Sequence, residues 1–247
     1  MRQNPTLVKA FAESLPKTYS SSYDWAAIAE HATIALRRQP GHAGVGTCFV
    51  PRLPGTALCV IADDRPGLLA AISAALVNER LDVIGAEAYT RATSDHRREA
   101  VDIFWVQRLD VSDPRRPLSP EDLRHLETTL DDLILEHYSP RAVHIPTQPP
   151  PARSVATETV VRFIEDKGGL LTTLEVETDD RTGMLLVLSR TLFEQNVQIV
   201  SSQVRTEAGR VRDRFDVTEL DDSPIKPERR FVLQVAILSS VQEAFGH

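Results

Sequence analysis

Two short stretches of the chain share the same order of acidic, basic and turn-forming residues. The first is "DDRPG" at 63–67, and the second is "DDRTG" at 179–183, 116 residues further on. Each follows an apolar segment and precedes leucines at helical spacing, which predicts a turn from a strand into a helix. A helix N-terminus presents unpaired N–H groups that attract a carboxylate, and a neighbouring aspartate can hold an ammonium group. The two features together suit an α-amino acid.

Each residue type in these turns also has a structural use. Asp64 and Asp180 are predicted to cap the helices with their carboxylates. Pro66 is predicted to lie in the first helical turn, where its missing N–H loses no hydrogen bond. Gly67 and Gly183 are predicted to let a ligand or another segment approach the backbone closely. Helix capping alone requires the same residue types, so a purely structural role for both turns stays open.

The similarity of the two stretches extends into an internal repeat. Residues 81–84 match 197–200 at the same offset, and Asp102 matches Asp213 at an offset five residues shorter. The difference falls in a polar segment that we predict to be a hairpin turn. A repeat whose length changes are confined to turns predicts two copies of one structural unit.

Each copy has the pattern strand, helix, strand, strand, helix, and an extended stretch precedes it. These stretches are "GTCFVPRL" from residue 46 and "ETVVRFIED" from residue 158. We predict that each pairs beside the first strand of its copy, where a ferredoxin-like sheet has its last strand. The predicted fold class is α+β, with two ferredoxin-like domains, each ββαββα. A rival assignment makes "FVLQVAILSS", near the C-terminus, a strand.

The repeat also divides the chain. We predict an N-terminal helical segment at 1–45, a first domain at 46–139, a proline-rich linker at 140–154 and a second domain at 155–247. A helix of the N-terminal segment is predicted to pack an apolar face on the first sheet. That face comprises Trp25, Ile28, Ala32 and Ala35.

Composition narrows the class of protein. The 247 residues are 42% hydrophobic and 26% charged, which suffices for two domains with cores. The formal charge of −7 argues against a nucleic-acid partner. Without an apolar run of roughly 20 residues or a signal-peptide pattern, we expect a cytoplasmic protein with no membrane partner. Cys48 and Cys59 could face each other across a hairpin, but a reducing cytosol favours buried free thiols.

The sequence contains no pattern typical of catalysis. The histidines are dispersed, and there is no GxSxG, Walker or GxGxxG motif. We therefore predict no catalytic residue, no metal site and no cofactor. Uncovered edge strands predict a homodimer.

The stretches "DDRPGLLAAISAALVNERLDVIGAEAYT" and "VDIFWVQ" resemble the ACT domain, a ferredoxin-like module that senses amino acids. The closer resemblance is to the C-terminal ACT pair of the bacterial PII uridylyltransferase/uridylyl-removing enzymes, glutamine sensors of nitrogen control. It extends from Ser14 to Phe245. "DRPGLL" is a fairly specific match and "DRTGML" a weaker one. The nucleotidyltransferase and HD phosphohydrolase signatures of that family are missing, so the resemblance implies a sensor without its enzyme.

The resemblance also implies two ligand sites, each formed by a turn and by the start of the strand that follows the helix. Carried over to this chain, the turn residues are Asp64, Arg65, Pro66, Gly67, Leu68, Asp180, Arg181, Thr182, Gly183 and Met184. The strand residues, which complete such sites across an interface between ACT domains, are Asp82, Val83, Ile84, Gln198, Ile199 and Val200. Asp82 stands where the family often has asparagine.

These observations predict a non-catalytic regulatory protein that senses a small amino acid, with glutamine as the first candidate, and passes its state to a regulated protein. Two alternatives stay open: a degenerate or truncated uridylyltransferase-related enzyme, and a scaffold for protein contacts that has lost its ligand. Thr182 replaces the rigid Pro66 and adds a hydroxyl group. We therefore expect the two turns to be inequivalent, with the 64–67 turn the better ligand site.

Overall fold

The structure, a computed structural model, describes residues 4–109, 113–135, 158–165, 171–207 and 209–246. Seven helices and eight strands lie in this part of the chain. In chain order they are α1 (Pro5–Glu13), α2 (Lys17–Ser22), α3 (Trp25–Arg37), β1 (Gly44–Cys48), β2 (Thr56–Asp63), α4 (Leu68–Asn78), β3 (Leu81–Ala92), β4 (Arg98–Arg108), α5 (Pro120–Leu135), β5 (Val160–Glu165), β6 (Thr172–Asp179), α6 (Met184–Glu194), β7 (Val197–Glu207), β8 (Arg210–Glu219) and α7 (Pro227–Phe245). The predicted linker at 140–154 lies outside the described residues.

The eight strands form one antiparallel sheet in the order β1-β2-β4-β3-β7-β8-β6-β5. In each half the extended stretch pairs with the first strand of its copy, β1 with β2 and β5 with β6. The prediction of an α+β fold with two ββαββα units is therefore confirmed. The rival strand near the C-terminus is wrong, because Leu233, Ile237 and Val241 repeat every four residues on the buried side of α7.

The two halves join through their equivalent strands β3 and β7. Glu87 lies opposite Gln203, which is its counterpart 116 residues later, so equivalent residues face each other at the centre of the sheet. Each strand also carries an irregularity at the equivalent place, between Val83 and Gly85 in β3 and between Ile199 and Ser201 in β7. The halves are thus related by a local twofold symmetry within one chain.

Helices α4 to α7 cover one face of this sheet. Their apolar side chains and those of the strands below form one core that continues across both halves. Equivalent residues occupy equivalent places in it, such as Ile72 with Leu188 and Phe104 with Phe215. Because α4 packs against α6 above the β3–β7 junction, the helix starts of the two halves lie close to each other's strands.

The N-terminal helices pack on the opposite face of the first half. Ile28 and Ala32 of α3 are buried against that face, as predicted. Trp25 is 51% exposed, so its predicted place in the packing face is wrong. It is the first residue of α3, and the face that meets the sheet runs instead through Ile28, His31 and Ala32, with Ala35 partly buried at its edge.

The two cysteines and the length of the apolar helices were also predicted from the sequence. Cys48 and Cys59 are buried free thiols, as expected, and burial raises the pKa of Cys48 to about 12. No helix in the described ranges is both long and apolar enough to cross a membrane.

Candidate ligand-binding sites

The two turns adopt the same backbone conformation. Gly67 and Gly183 precede α4 and α6 with φ angles of 79° and 83°, in the left-handed region that favours glycine. The N–H of Leu68 donates to the Arg65 carbonyl oxygen at 3.2 Å, and the second turn has the same bond at 3.0 Å. The repeat therefore preserves the geometry of the turn as well as its residues.

The predicted capping role of Asp64 and Asp180 is wrong. The glycine occupies the N-cap position of each helix, and neither helix start has a side-chain cap. The helix begins only four residues after the aspartate, so Pro66 also lies before the first helical turn. The Asp64 carboxylate instead lies 3.1 Å from the Arg98 Nε atom.

The first candidate site lies between the first turn and the start of β7 in the other half. Its turn side is formed by Asp64, Arg65, Gly67 and Leu68, and its strand side by Gln198, Ile199 and Val200. Seven predicted residues thus meet across the interface, while Pro66 lies outside the lining. The free volume is about 30 Å³, enough for roughly one water molecule.

The second candidate site is the symmetry counterpart of the first, between the second turn and the start of β3. Its predicted residues are Asp180, Arg181, Gly183, Met184 and Val83, around a free volume of about 20 Å³.

Three predicted residues have other positions. Thr182 and Asp82 lie outside this lining, but they are hydrogen-bonded to each other beside Asp180. Ile84 sits at the irregularity of β3 and packs against the core on the opposite face.

Phe193 is a site residue that sequence reasoning missed. A β-carbon placed at Gly67 would lie 2.7 Å from the Phe193 ring, so the aromatic side chain fills the space beside the first turn. The equivalent residue of the first half, 116 positions earlier, is Val77, which lines the second site. The two sites therefore differ in the bulk of one wall.

Two buried carboxyl groups were also missed as site residues. Asp102 of β4 lines the first site and Asp213 of β8 lines the second, with 3% and 1% exposure. Burial raises the pKa of both carboxyl groups well above the usual range. The available signal was a charged residue repeated at the same place in two apolar strands, on the side that faces the helices.

The environments of these two carboxyl groups differ. Asp102 accepts a hydrogen bond from the backbone N–H of Tyr89. Neither carboxyl oxygen of Asp213 has a hydrogen-bond partner in the described part of the chain. The Gln198 Oε1 atom in the first site is likewise buried without a partner there.

The charges near the two turns also differ. The Asp64 N–H donates to the carbonyl oxygen of Arg98, and the Asp180 N–H donates to that of Gly209, both at 3.0 Å. Gly209 therefore stands where the first half has Arg98, and the second site lacks this cationic neighbour. Asp82 in turn stands where the other half has Gln198, and its pKa is raised to about 6 by burial and by Asp180.

The fold and the crosswise sites define the class: two paired ferredoxin-like units with a candidate ligand site at each turn between them. No family model matches the chain. The chain is similar to the bifunctional uridylyltransferase/uridylyl-removing enzymes of several bacteria, which confirms the resemblance seen in the sequence. It is 25% identical over 242 residues to that of Phenylobacterium zucineum, across 96% of this chain and 25% of the enzyme.

Two further relatives are similar to this chain at comparable identity. The identity is 29% over 194 residues to the enzyme of Erythrobacter litoralis, across 76% of this chain and 20% of that protein. The identity to the enzyme of Caulobacter vibrioides is 26% over 245 residues, across 95% of this chain and 25% of that protein. The chain thus spans about a quarter of the length of these relatives or less.

Proposed function

We propose that the chain is a non-catalytic regulatory protein that senses a small amino acid, with glutamine as the first candidate. The observation that carries the proposal is the crosswise meeting of each helix-start turn with a strand of the other half. The similarity to a limited part of a much longer bifunctional enzyme supports a regulatory role. The catalytic activities in the names of those relatives are not transferred to this chain.

The first site offers the groups that an amino acid requires. The Leu68 N–H already donates to the Arg65 carbonyl oxygen, so the N–H groups of Leu69 and Ala70, in the first turn of α4, are the donors that a carboxylate can use. Asp64 and Asp102 lie on the same lining and can receive the ammonium group. The unpartnered Gln198 Oε1 atom can accept an N–H from the ligand side chain, which suits the carboxamide of glutamine.

Binding at this site requires the interface to open. A free volume of about 30 Å³ is smaller than any amino acid, and the Phe193 ring lies against the turn. A ligand that enters must therefore displace this ring or move α6 relative to the first half. Such a ligand favours one mutual orientation of the halves, and a regulated protein reads that orientation.

Calorimetry with a panel of the twenty amino acids tests this proposal on the whole chain. We expect saturable heat with glutamine and at least tenfold weaker binding to Gln198→Leu, because the variant loses the free acceptor. Ser73→Ala, in the second site, is the matched control and is expected to bind glutamine as the unaltered chain does. The proposal fails if no amino acid at millimolar concentration produces heat or a thermal shift.

The closed state of both cavities favours one alternative, a scaffold that uses the paired halves for protein contacts without a ligand. The same amino-acid panel separates the two functions, and a pull-down identifies the contacts. The uridylyltransferase-related alternative predicts labelling of PII from UTP and magnesium.

A further inference from the structure

We propose that the second site binds a single ammonium group, either the free ion or the end of a small amine, at Asp213 and the neighbouring carboxylate Asp180, which both line the cavity. The two sites of the chain then take ligands of different chemical class. The inference rests on the proposed function only in treating the interface cavities as ligand sites.

Asp213 is the central observation. Its side chain lines the second cavity, is 1% exposed and has no hydrogen-bond partner for either oxygen among the described residues. A buried carboxyl group without partners is unfavourable in the folded state. Asp102, at the equivalent place in the first half, accepts a backbone N–H instead. The second half therefore has an acid whose hydrogen-bonding capacity a ligand can satisfy.

The surroundings of Asp213 are acidic. Burial and, after it, Asp180 raise the pKa of Asp213, because a neighbouring carboxylate disfavours a further negative charge. Burial and Asp180 raise the pKa of Asp82, outside the lining, in the same way. Gly209, beside Asp180, stands where the first half has Arg98, the residue that pairs with Asp64. Arg181, in the lining, is the basic residue on the turn side. A positively charged ligand offsets this local excess of acid.

The size of the cavity and its polar atoms restrict the cation. A free volume of about 20 Å³ admits one group about the size of a water molecule, as an ammonium group is. Its N–H donors match the Asp213 oxygens and the Ser73 Oγ atom, which also lines the cavity and has no partner within the described ranges. In the described ranges, no group of three or more His, Cys, Asp or Glu residues is placed to hold a metal ion.

Calorimetry and thermal unfolding of the whole chain test the site, with ammonium chloride compared with potassium chloride at equal ionic strength. We expect saturable heat and a higher Tm with ammonium, and at least tenfold weaker binding to Asp213→Asn. Asp216→Asn is the matched control and is expected to keep the response, because this residue of the same strand lies outside both sites and its carboxyl oxygens already accept from Thr173 and Ser201. Methylammonium and n-butylammonium identify the source: binding of ammonium alone indicates the free ion, and binding of the amines indicates an alkyl-ammonium end.

Equal responses to ammonium and potassium, with no heat from the amines, overturn the inference, as does undiminished binding to Asp213→Asn. If that variant does not fold, Ser73→Ala takes its place and is expected to weaken ammonium binding. Glutamine titrated into the same samples separates the two proposals. Heat from glutamine without an ammonium response refutes the ammonium site alone, whereas an ammonium response without heat from any amino acid refutes the amino-acid sensor alone.

Discussion

Two positions that differ between the copies of the repeat contact each other beside the second site. The Thr182 hydroxyl is hydrogen-bonded to Asp82, whereas the equivalent positions of the other site hold Pro66 and Gln198. The sequence shows that both positions differ between the copies. It could not show that they touch, because the two residues belong to different halves and meet only through the β3–β7 junction.

Asp82 is expected to make stability depend on pH. Its pKa is raised from 3.8 to about 6, so the folded chain binds the proton more tightly than the unfolded chain. This contribution is complete below pH 4 and is lost as the pH rises through 6. Asp82→Asn removes the dependence and is expected to be more stable above pH 7, by up to about 3 kcal/mol. Urea unfolding from pH 4 to 8 measures this, and parallel curves for the two proteins would contradict it.

Gly67 is expected to tolerate no side chain. Gly67→Ala places a β-carbon at a φ of 79° and 2.7 Å from the Phe193 ring. We expect the free energy of unfolding to fall by about 2–4 kcal/mol. Gly209→Ala is the matched control, since its φ is 78° and nothing lies within 4 Å. The control is expected to lose only about 1 kcal/mol. Equal losses in chemical denaturation would show that the Phe193 ring moves away without cost.

At the scale of elements, the periodicity of the sequence predicted the fold more reliably than the details of the turns. Strands, helices and the ββαββα order follow from apolar spacing and from the repeat, which applies the same pattern twice. The capping prediction failed because the left-handed Gly67 and Gly183 occupy the N-cap positions, a choice that the residue types alone do not fix. The position of Ile84 depends on an irregularity in β3, and apolar alternation gives no sign of it.

The end of α6 is expected to control entry to the first site. Phe193→Ala removes a partly buried ring, which predicts a loss of about 2–3 kcal/mol in stability. The same change is expected to speed the association of glutamine, because no ring has to leave the turn. Val77→Ala, at the equivalent end of α4, is the control and should leave that rate unchanged. Stopped-flow mixing measures the rate, and equal rates in all three proteins would exclude a gating role for Phe193.

In the whole molecule, the twofold symmetry is broken by what covers the second face of the sheet. Helices α1 to α3 pack on the first half, and that half presents apolar residues to them. The second half has charged residues at the same places. Cys59, Ile61 and Ile103 correspond to Glu175, Glu177 and Arg214. β2 is apolar on both sides because helices cover both of its faces. β6 alternates between apolar and charged residues because a charged face needs no covering layer.

The edges of the sheet bear on the predicted homodimer. The outward N–H groups of Ala43 and Val45, at edge strand β1, donate to the carboxylates of Asp131 and Glu127 on α5. These carboxylates accept the N–H groups to which the carbonyl oxygens of another strand would have to bind. The homodimer therefore stays a prediction, with β5 as the edge on which strand pairing between copies would depend.

Loss of the N-terminal layer is expected to affect one half of the molecule selectively. A chain without residues 1–37 exposes Ile61 and Ile103, which predicts binding of the dye ANS and self-association in light scattering. The same truncation with Cys59→Glu, Ile61→Glu and Ile103→Arg copies the outer face of the second half and is the control. It is expected to bind less dye and to stay dispersed, because both halves then present charged faces to water. A truncated chain that stays dispersed and binds no dye would show that the first half does not depend on α1 to α3.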